Sequence, residues 1–156
     1  MNARANPKHL RKPANPLGGL ALLNRRNQAQ LEQDQTRDLA LAYRMALTGM
    51  LTGHGNEQLW STLACSINIA LLLAEAGVHP HHTQAQAIQI IKDAQEGLMR
   101  AHHRGTQHQQ WNLGRDTFVI ECAYRLHDAQ IAAASKGKIV CAMEEVHRRV
   151  SIGETL

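Results

Sequence analysis

A chain of 156 residues fits one domain, since about 120 residues suffice for a helical bundle to bury a core without disulfides or metal ions. Aromatic residues form only 3% of the sequence, which is poor for a β-sandwich or barrel and suits helices packed through Leu, Ile and Ala. The net charge of +4 divides unevenly: residues 1–31 carry six basic and no acidic side chains, and the remainder carries eleven basic against thirteen acidic, so a +6 segment precedes a −2 domain.

Residues 1–26 are predicted to form a disordered, basic N-terminal arm, followed by a helical bundle domain over residues 27–156. Three of the four prolines in the chain lie in this arm and interrupt helical periodicity. A cationic tail favours a polyanionic partner, so nucleic acid bound through residues 1–31 is one prediction, and a solubilising tail is the alternative. The candidate contacts with nucleic acid or a partner protein are the basic residues of this segment: Arg4, Lys8, Arg11, Lys12, Arg25 and Arg26.

Apolar periodicity after the arm predicts five helices. They span about Asn27 to Leu51, from a cap at Asn56 to Gly77, about Gln84 to His103, about Arg115 to Ser135 and about Lys138 to Val150. The apolar residues of the second helix are dense enough to cover more than one face, so this helix is expected at the centre. Short connections favour antiparallel neighbours, and the predicted fold class is therefore all-α: an up-and-down bundle of about five helices with a flexible basic N-terminal arm.

Local signals set the ends of these helices. Asn56 and Thr83 are predicted N-caps, and Gly53 suits the left-handed end of the first helix. Residues 105–112 are predicted to form a polar loop, and Gly137 is expected to separate the last two helices. The inward positions predicted for the fourth helix are Phe118, Cys122, Leu126, Ala129 and Ala133.

The odd number of cysteines argues against a disulfide framework. Cys65, Cys122 and Cys141 each lie in an apolar helical stretch, which predicts buried free thiols in a reducing cytoplasm. No apolar run approaches the ~20 residues needed to span a bilayer, and the N-terminus lacks the apolar core of a secretory signal. We therefore expect a cytoplasmic protein that does not bind membranes.

The histidine content is high, with ten in the chain. His79, His81 and His82 lie in a connector that contains a proline, and imidazole is the commonest side-chain metal ligand. No cysteine lies near them in sequence, and no HExxH motif occurs. These three histidines are thus weak candidates for a metal site, while solvated histidines without metal or cofactor remain the main expectation.

No motif in the sequence indicates an enzyme. GxSxG, P-loop, GxGxxG and paired-carboxylate motifs do not occur. Cys65 lies between apolar residues of the second helix, where a core thiol is expected rather than a nucleophile. The chain is accordingly predicted not to be an enzyme.

Trp111 is a candidate contact with a partner protein. It lies in the predicted polar loop, and tryptophan is enriched among residues that dominate binding energies. The alternative is that Trp111 packs as a lid over the end of the core. Trp60 is expected at the flank of the core, because its neighbour Leu59 belongs to the apolar stripe.

The stretch from Leu39 to Glu75 resembles small, mostly uncharacterised helical proteins of proteobacterial phages, plasmids and genomic islands. It contains Leu-Ala-Tyr-Arg-Met-Ala-Leu and Trp-Ser-Thr-Leu-Ala-Cys-Ser-Ile-Asn-Ile-Ala-Leu-Leu-Leu-Ala-Glu, and the later Leu-His-Asp-Ala-Gln-Ile and Glu-Val-His-Arg-Arg-Val add to the likeness. The resemblance implies a mobile-element context and assigns no site residues.

These observations lead to one main functional prediction and two alternatives. The main prediction is a non-enzymatic binding protein of a mobile element that regulates or inhibits a host or element machine by docking onto a protein of unknown identity. The alternatives are a nucleic-acid-binding regulator that uses the arm, and a histidine-rich metal-binding protein. The sequence leaves the oligomeric state open.

Overall fold

The computed structural model describes Asp34 and residues 37–154. The predicted arm, with its six basic residues, and the start of the predicted first helix lie outside the described residues. Five α-helices follow one another in the described part: α1 (37–51), α2 (Glu57–Glu75), α3 (Gln84–His108), α4 (Thr117–Ala133) and α5 (Lys136–Ser151), with a short 3-10 helix at Gly114–Asp116 before α4. No strand occurs among the described residues, so the predicted all-α bundle is confirmed.

The α2 helix is the centre of the bundle and runs antiparallel to α3. The Trp60 Nε1–H near the start of α2 donates to the carbonyl of Leu98 late in α3 at 2.7 Å. At the other end, the side-chain amide of Gln84 donates to the carbonyl of Ala74 at 3.2 Å. The α4 and α5 helices also pack on α2, as the apolar density of its sequence predicts.

The directions of α4 and α5 complete the up-and-down arrangement. The Tyr124 hydroxyl donates to the carbonyl of Leu63 at 2.9 Å and Gln130 Nε2 donates to that of Ala70 at 3.0 Å, so α4 runs parallel to α2. The ammonium of Lys138, at the start of α5, donates to the carbonyl of Ala76 just beyond the end of α2 at 3.2 Å. The α5 helix packs over a smaller apolar cluster formed mainly by Ile69, Leu73, Val78, Ile139, Ala142 and Val146.

The predicted caps are confirmed. The side-chain oxygen of Asn56 accepts the Leu59 N–H at 2.9 Å. Thr83 and Gln86 form a reciprocal capping box, in which each side chain accepts the backbone N–H of the other. Gly53 ends α1 with a φ of 83°, a conformation that L side chains rarely adopt.

The predicted end of α3 is wrong, because the helix continues for five residues beyond His103 to His108. Gly105, predicted to begin a polar loop, lies buried within the helix. A Cβ atom at this position would lie 2.3 Å from Cδ2 of Trp111, so the glycine makes room for the indole ring. The αL conformation that ends the helix belongs instead to Gln109, at φ 59°.

The predicted inward face of α4 is also largely wrong. Phe118 is 71% exposed, whereas the buried face carries Ile120, Ala123, Tyr124, Leu126, His127 and Gln130. Only Leu126 belongs to both sets. The prediction failed because three of the buried residues, Tyr124, His127 and Gln130, are polar or aromatic. Hydrogen bonds inside the bundle offset the cost of removing their polar atoms from water.

Two further predictions need correction. Gly137 lies in the first turn of α5, and Ser135 caps that helix by accepting the Lys138 N–H.

The prediction that no apolar run approaches bilayer-spanning length is too strict. Among the described residues, Glu57–Glu75 is the one helix long and apolar enough to cross a membrane by length and composition. This helix is α2, which packs against three later helices of the bundle.

Candidate functional site

Local hydrogen bonds hold the side chains of two of the three histidines in the α2–α3 connector. The Nδ1 of His79 lies 2.8 Å from the carbonyl oxygen of His82, and the Nδ1 of His82 lies 2.9 Å from that of Pro80. His81 has a φ of 62°, the left-handed conformation of a tight turn. Among the described residues, no group of three or more His, Cys, Asp or Glu side chains is placed to hold a metal ion.

Trp111 is half-buried at one end of the bundle. Its ring covers Gly105 of α3 and lies edge-on to His102, with ring centroids 5.8 Å apart. His102 in turn lies 4.3 Å from the ring of Trp60. A Cβ at Gly55 would meet the Trp111 carbonyl oxygen at 1.7 Å, so the tryptophan segment also packs on the α1–α2 turn. This packing matches the alternative of a lid over the core.

A second arrangement, absent from the sequence predictions, lies on the face of α2 around Cys65. Three adjoining hollows share this cysteine in their walls and have volumes of about 650, 260 and 440 Å³. We call their combined surface the Cys65 groove. Its walls come from α1, α2, α3, α5 and the segment after α5, and the residues that define it are Leu39, Glu57, Trp60, Ser61, Ala64, Cys65, Asn68, Ile69, Gln95, Met99, Met143, Glu144, His147, Val150 and Glu154.

The apolar side chains at the edge of the Cys65 groove are unusually accessible. Met99 is 61% exposed and Val150 is 56% exposed. Ile152, two residues after Val150, is 57% exposed. Scattered exposed apolar residues are ordinary, but apolar side chains that gather around a concave surface mark interaction sites.

The charged side chains of the Cys65 groove are of one sign. Each hollow has one carboxylate in its wall: Glu57, Glu154 and Glu144, respectively. Within the described part of the chain, no Lys or Arg lines any of the three hollows. The groove thus combines an apolar floor with an acidic edge.

Cys65 is a free, half-buried thiol at the point where the hollows meet. Burial raises the pKa of this thiol, although a hydrogen bond with Ser61 acts in the opposite direction. A raised pKa disfavours the thiolate, the form that acts as a nucleophile. Free thiols were predicted correctly, but full burial was not, since Cys65 and Cys122 are half-buried and Cys141 is exposed.

A further cluster of polar and ionisable groups extends from the core to the surface between α1 and α4, where the side chains of Arg44 and Asp128 are 63% and 43% exposed. The Tyr43 hydroxyl donates to Asp128, which also accepts a 3.0 Å hydrogen bond from Arg44. The fully buried His127 lies 5.1 Å from the Tyr43 ring, centroid to centroid, and its Nδ1 is 3.4 Å from Gln130 Oε1. Burial lowers the pKa of His127 to about 4. A substrate could reach this imidazole only if the helices separated, so we assign the cluster a structural role.

Comparison with protein-family models, with curated proteins and with solved structures found no match to this chain. One feature of the sequence pointed to the groove. Met99 is apolar, yet it falls beside the main apolar stripe of α3 rather than on it, which is typical of an exposed apolar side chain. Separated elements line the groove, so only the packing of the bundle brings its residues together.

Proposed function

We propose that this chain is a non-enzymatic binding protein of a mobile genetic element. It docks a partner protein in the Cys65 groove and thereby regulates or inhibits a host or element macromolecular machine. The observation that carries the proposal is the concave apolar surface around Cys65, edged by the exposed side chains of Met99 and Val150. Helix-in-groove recognition uses surfaces of this kind.

The ionisable groups support a binding role over a catalytic one. The pKa of the Cys65 thiol, the nucleophilic side chain in the groove, is raised rather than lowered. Strongly shifted pKa values elsewhere have structural causes: Arg148 and Arg149 hold that of Glu145 at about 2, and burial holds that of His127 at about 4. The three free thiols suit a reducing cytoplasm, where we place the protein.

Affinity capture tests this function with two matched variants of the full chain. Met99→Lys adds a charge to the edge of the groove, and Met45→Lys makes the same change on α1, outside the residues that line it. The two methionines are 61% and 63% exposed, so both variants should keep the fold, which circular dichroism can verify. We expect a host-lysate protein that the natural chain and Met45→Lys retain and Met99→Lys loses. Recovery of no specific protein, or equal recovery by both variants, would contradict the proposal.

The alternative of a nucleic-acid-binding regulator rests on the charge of residues 1–31, which is +6. Phosphate contacts by six basic side chains would make the affinity for duplex DNA fall steeply with salt, with a logarithmic slope of roughly −5. A salt titration with duplex DNA, using the full chain and a chain that lacks residues 1–31, measures this slope. Binding that is insensitive to salt, or that survives removal of the segment, would contradict the arm-based alternative.

A further inference from the structure

We infer that the occupant of the Cys65 groove is a basic amphipathic helix of a partner protein. This inference rests on the proposed docking function and specifies the chemistry of the segment that is bound. It combines the sign of the charges around the groove, the length of the groove and the types of apolar side chain at its edge.

The charges favour a cationic partner. Glu57, Glu144 and Glu154 are distributed among the three hollows. Glu154 lies 4.0 Å from Arg148 and is partly neutralised by it, so the main attraction for a cationic segment comes from Glu57 and Glu144. A Lys or Arg beside each apolar anchor would complement these groups, whereas an acidic segment or a phosphate backbone would be repelled. His147 lies in the same wall as Glu144.

The length of the groove suits a helix of three to four turns. The lining residues of α2 extend from Glu57 to Ile69, which is about 18 Å at 1.5 Å per residue. A helix of similar length presents apolar side chains at positions i, i+3 or i+4, and i+7 along one face. Three adjoining hollows offer a place for each of these anchors.

The edge of the groove is suited to helical ligands. Met99 stands on the α3 side and Met143 on the α5 side. Methionine has an unbranched, polarisable side chain that adapts to varied apolar surfaces and is common where amphipathic helices bind. Val150 lines two of the hollows and would lie between successive anchors.

A second copy of this chain is one competing occupant. The α1 helix exposes Leu41 and Met45, at 58% and 63%, beside the basic residue Arg44. Arg44, however, already forms an ion pair with Asp128 at 3.0 Å. Its charge is therefore partly neutralised, which makes α1 a poorer match for the acidic edge than an unpaired basic helix.

Two synthetic probes test the inference by fluorescence anisotropy with the full-length protein. Both are helical peptides of about four turns (~14 residues) with the same leucine stripe, and they differ only in carrying Lys or Glu on the flanking positions. We expect the Lys peptide to bind clearly more tightly than the Glu peptide. Glu144→Lys should weaken binding of the Lys peptide by about 5-fold or more, since it replaces an attraction by a repulsion. Glu75→Lys makes the same charge change at an exposed site outside the groove and should leave binding nearly unchanged.

The outcomes separate this inference from the docking function. Tighter binding of the Glu peptide, or equal effects of Glu144→Lys and Glu75→Lys, would overturn the basic-helix inference while docking itself could still stand. If Met99→Lys loses a lysate partner but the natural protein binds neither peptide, the basic-helix inference is likewise overturned and the docking function stands. Self-association that both Met99→Lys and Met45→Lys abolish would assign the groove to a second copy. If Met99→Lys changes neither peptide binding nor partner capture, both the inference and the docking function fail.

Discussion

His127 illustrates how a polar residue is accommodated in the core of this bundle. It is completely buried, and its Nε2 atom has no hydrogen-bond partner among the described residues. A charged imidazole at this site would lose its hydration, so the neutral form is strongly preferred and the pKa falls from its ordinary value of 6.5 to about 4. Protonation in the unfolded chain therefore competes with folding in mildly acidic solution.

This difference in pKa predicts a pH-dependent stability. Between about pH 6.5 and pH 4 the unfolded chain binds more protons than the native one, so the free energy of unfolding falls as the pH falls. From pH 7.5 to pH 5 this residue should contribute a loss of about 2 kcal/mol, at ~1.4 kcal/mol per pH unit below 6.5. Urea unfolding at the two pH values measures this loss. In His127→Phe the free energy of unfolding should fall less between pH 7.5 and pH 5 than in the natural protein, by that amount. The matched change His103→Phe, at an exposed position of α3, should leave the pH dependence unaltered. Equal losses in all three proteins would refute the prediction.

Gly105 gives a second prediction at the scale of one residue. Alanine normally stabilises a helix interior by up to ~1 kcal/mol relative to glycine. At Gly105 the added Cβ would clash with the Trp111 ring, so we expect Gly105→Ala to lower the free energy of unfolding by about 1–3 kcal/mol. Gly137→Ala provides the control, since a Cβ there meets no atom within 4 Å, and it should be neutral or stabilising. Similar effects of the two changes on urea unfolding would show that Trp111 does not pack on Gly105 in solution.

At the scale of elements, the segment between α3 and α4 is fixed by one buried carboxylate. Asp116 is 5% exposed and accepts hydrogen bonds from Arg100 at 2.8 and 3.1 Å. Arg104, whose Nη1 lies 3.6 Å from Asp116, donates to the carbonyls of Asn112 and Leu113, both at 3.0 Å. Burial alone would raise the pKa of Asp116, but the hydrogen bond and charge of Arg100 outweigh it and hold the pKa below its usual value.

Neutralising this carboxylate should weaken the attachment of α4 to α3. We expect Asp116→Asn to lower the free energy of unfolding by about 2 kcal/mol, less than for a fully buried pair because the Arg100 side chain is 42% exposed. Asp93→Asn, at an exposed site of α3, should have little effect. Chemical denaturation of both variants at neutral pH measures the difference. Equal stabilities would mean that the Asp116 ion pairs do not hold this segment.

Features that depend on neighbouring residues could be predicted from the sequence, and features that depend on packing against other elements could not. The caps Asn56 and Thr83 act within one turn, so they could be recognised from neighbouring residues. The inward face of α4 depends on distant partners, because Gln130 is buried only by donating to carbonyls at Ala70 and Val78. The five additional residues of α3 carry Gly105 against Trp111, a contact across the following turn that no helix-capping signal marks.

At the scale of the whole molecule, the charge is separated between two parts of the sequence. The basic excess belongs to residues 1–31, and the remainder is close to neutral with an excess of two acidic residues. Three of the thirteen acidic residues of this part, Glu57, Glu144 and Glu154, lie at the edge of the Cys65 groove. The charge division was evident from the sequence. The groove was not, because its walls come from helices far apart in the chain.

The central claim, that a partner occupies the Cys65 groove, is tested most directly by the alkylation rate of each cysteine. Mass spectrometry can follow alkylation of Cys65 and Cys141 in the same sample, with and without the protein recovered by affinity capture. Cys141 is exposed on α5 and does not line the groove, so it serves as an internal reference. We expect the bound partner to slow alkylation of Cys65 severalfold and to leave the rate at Cys141 unchanged. An unchanged rate at Cys65 with the partner fully bound would contradict it.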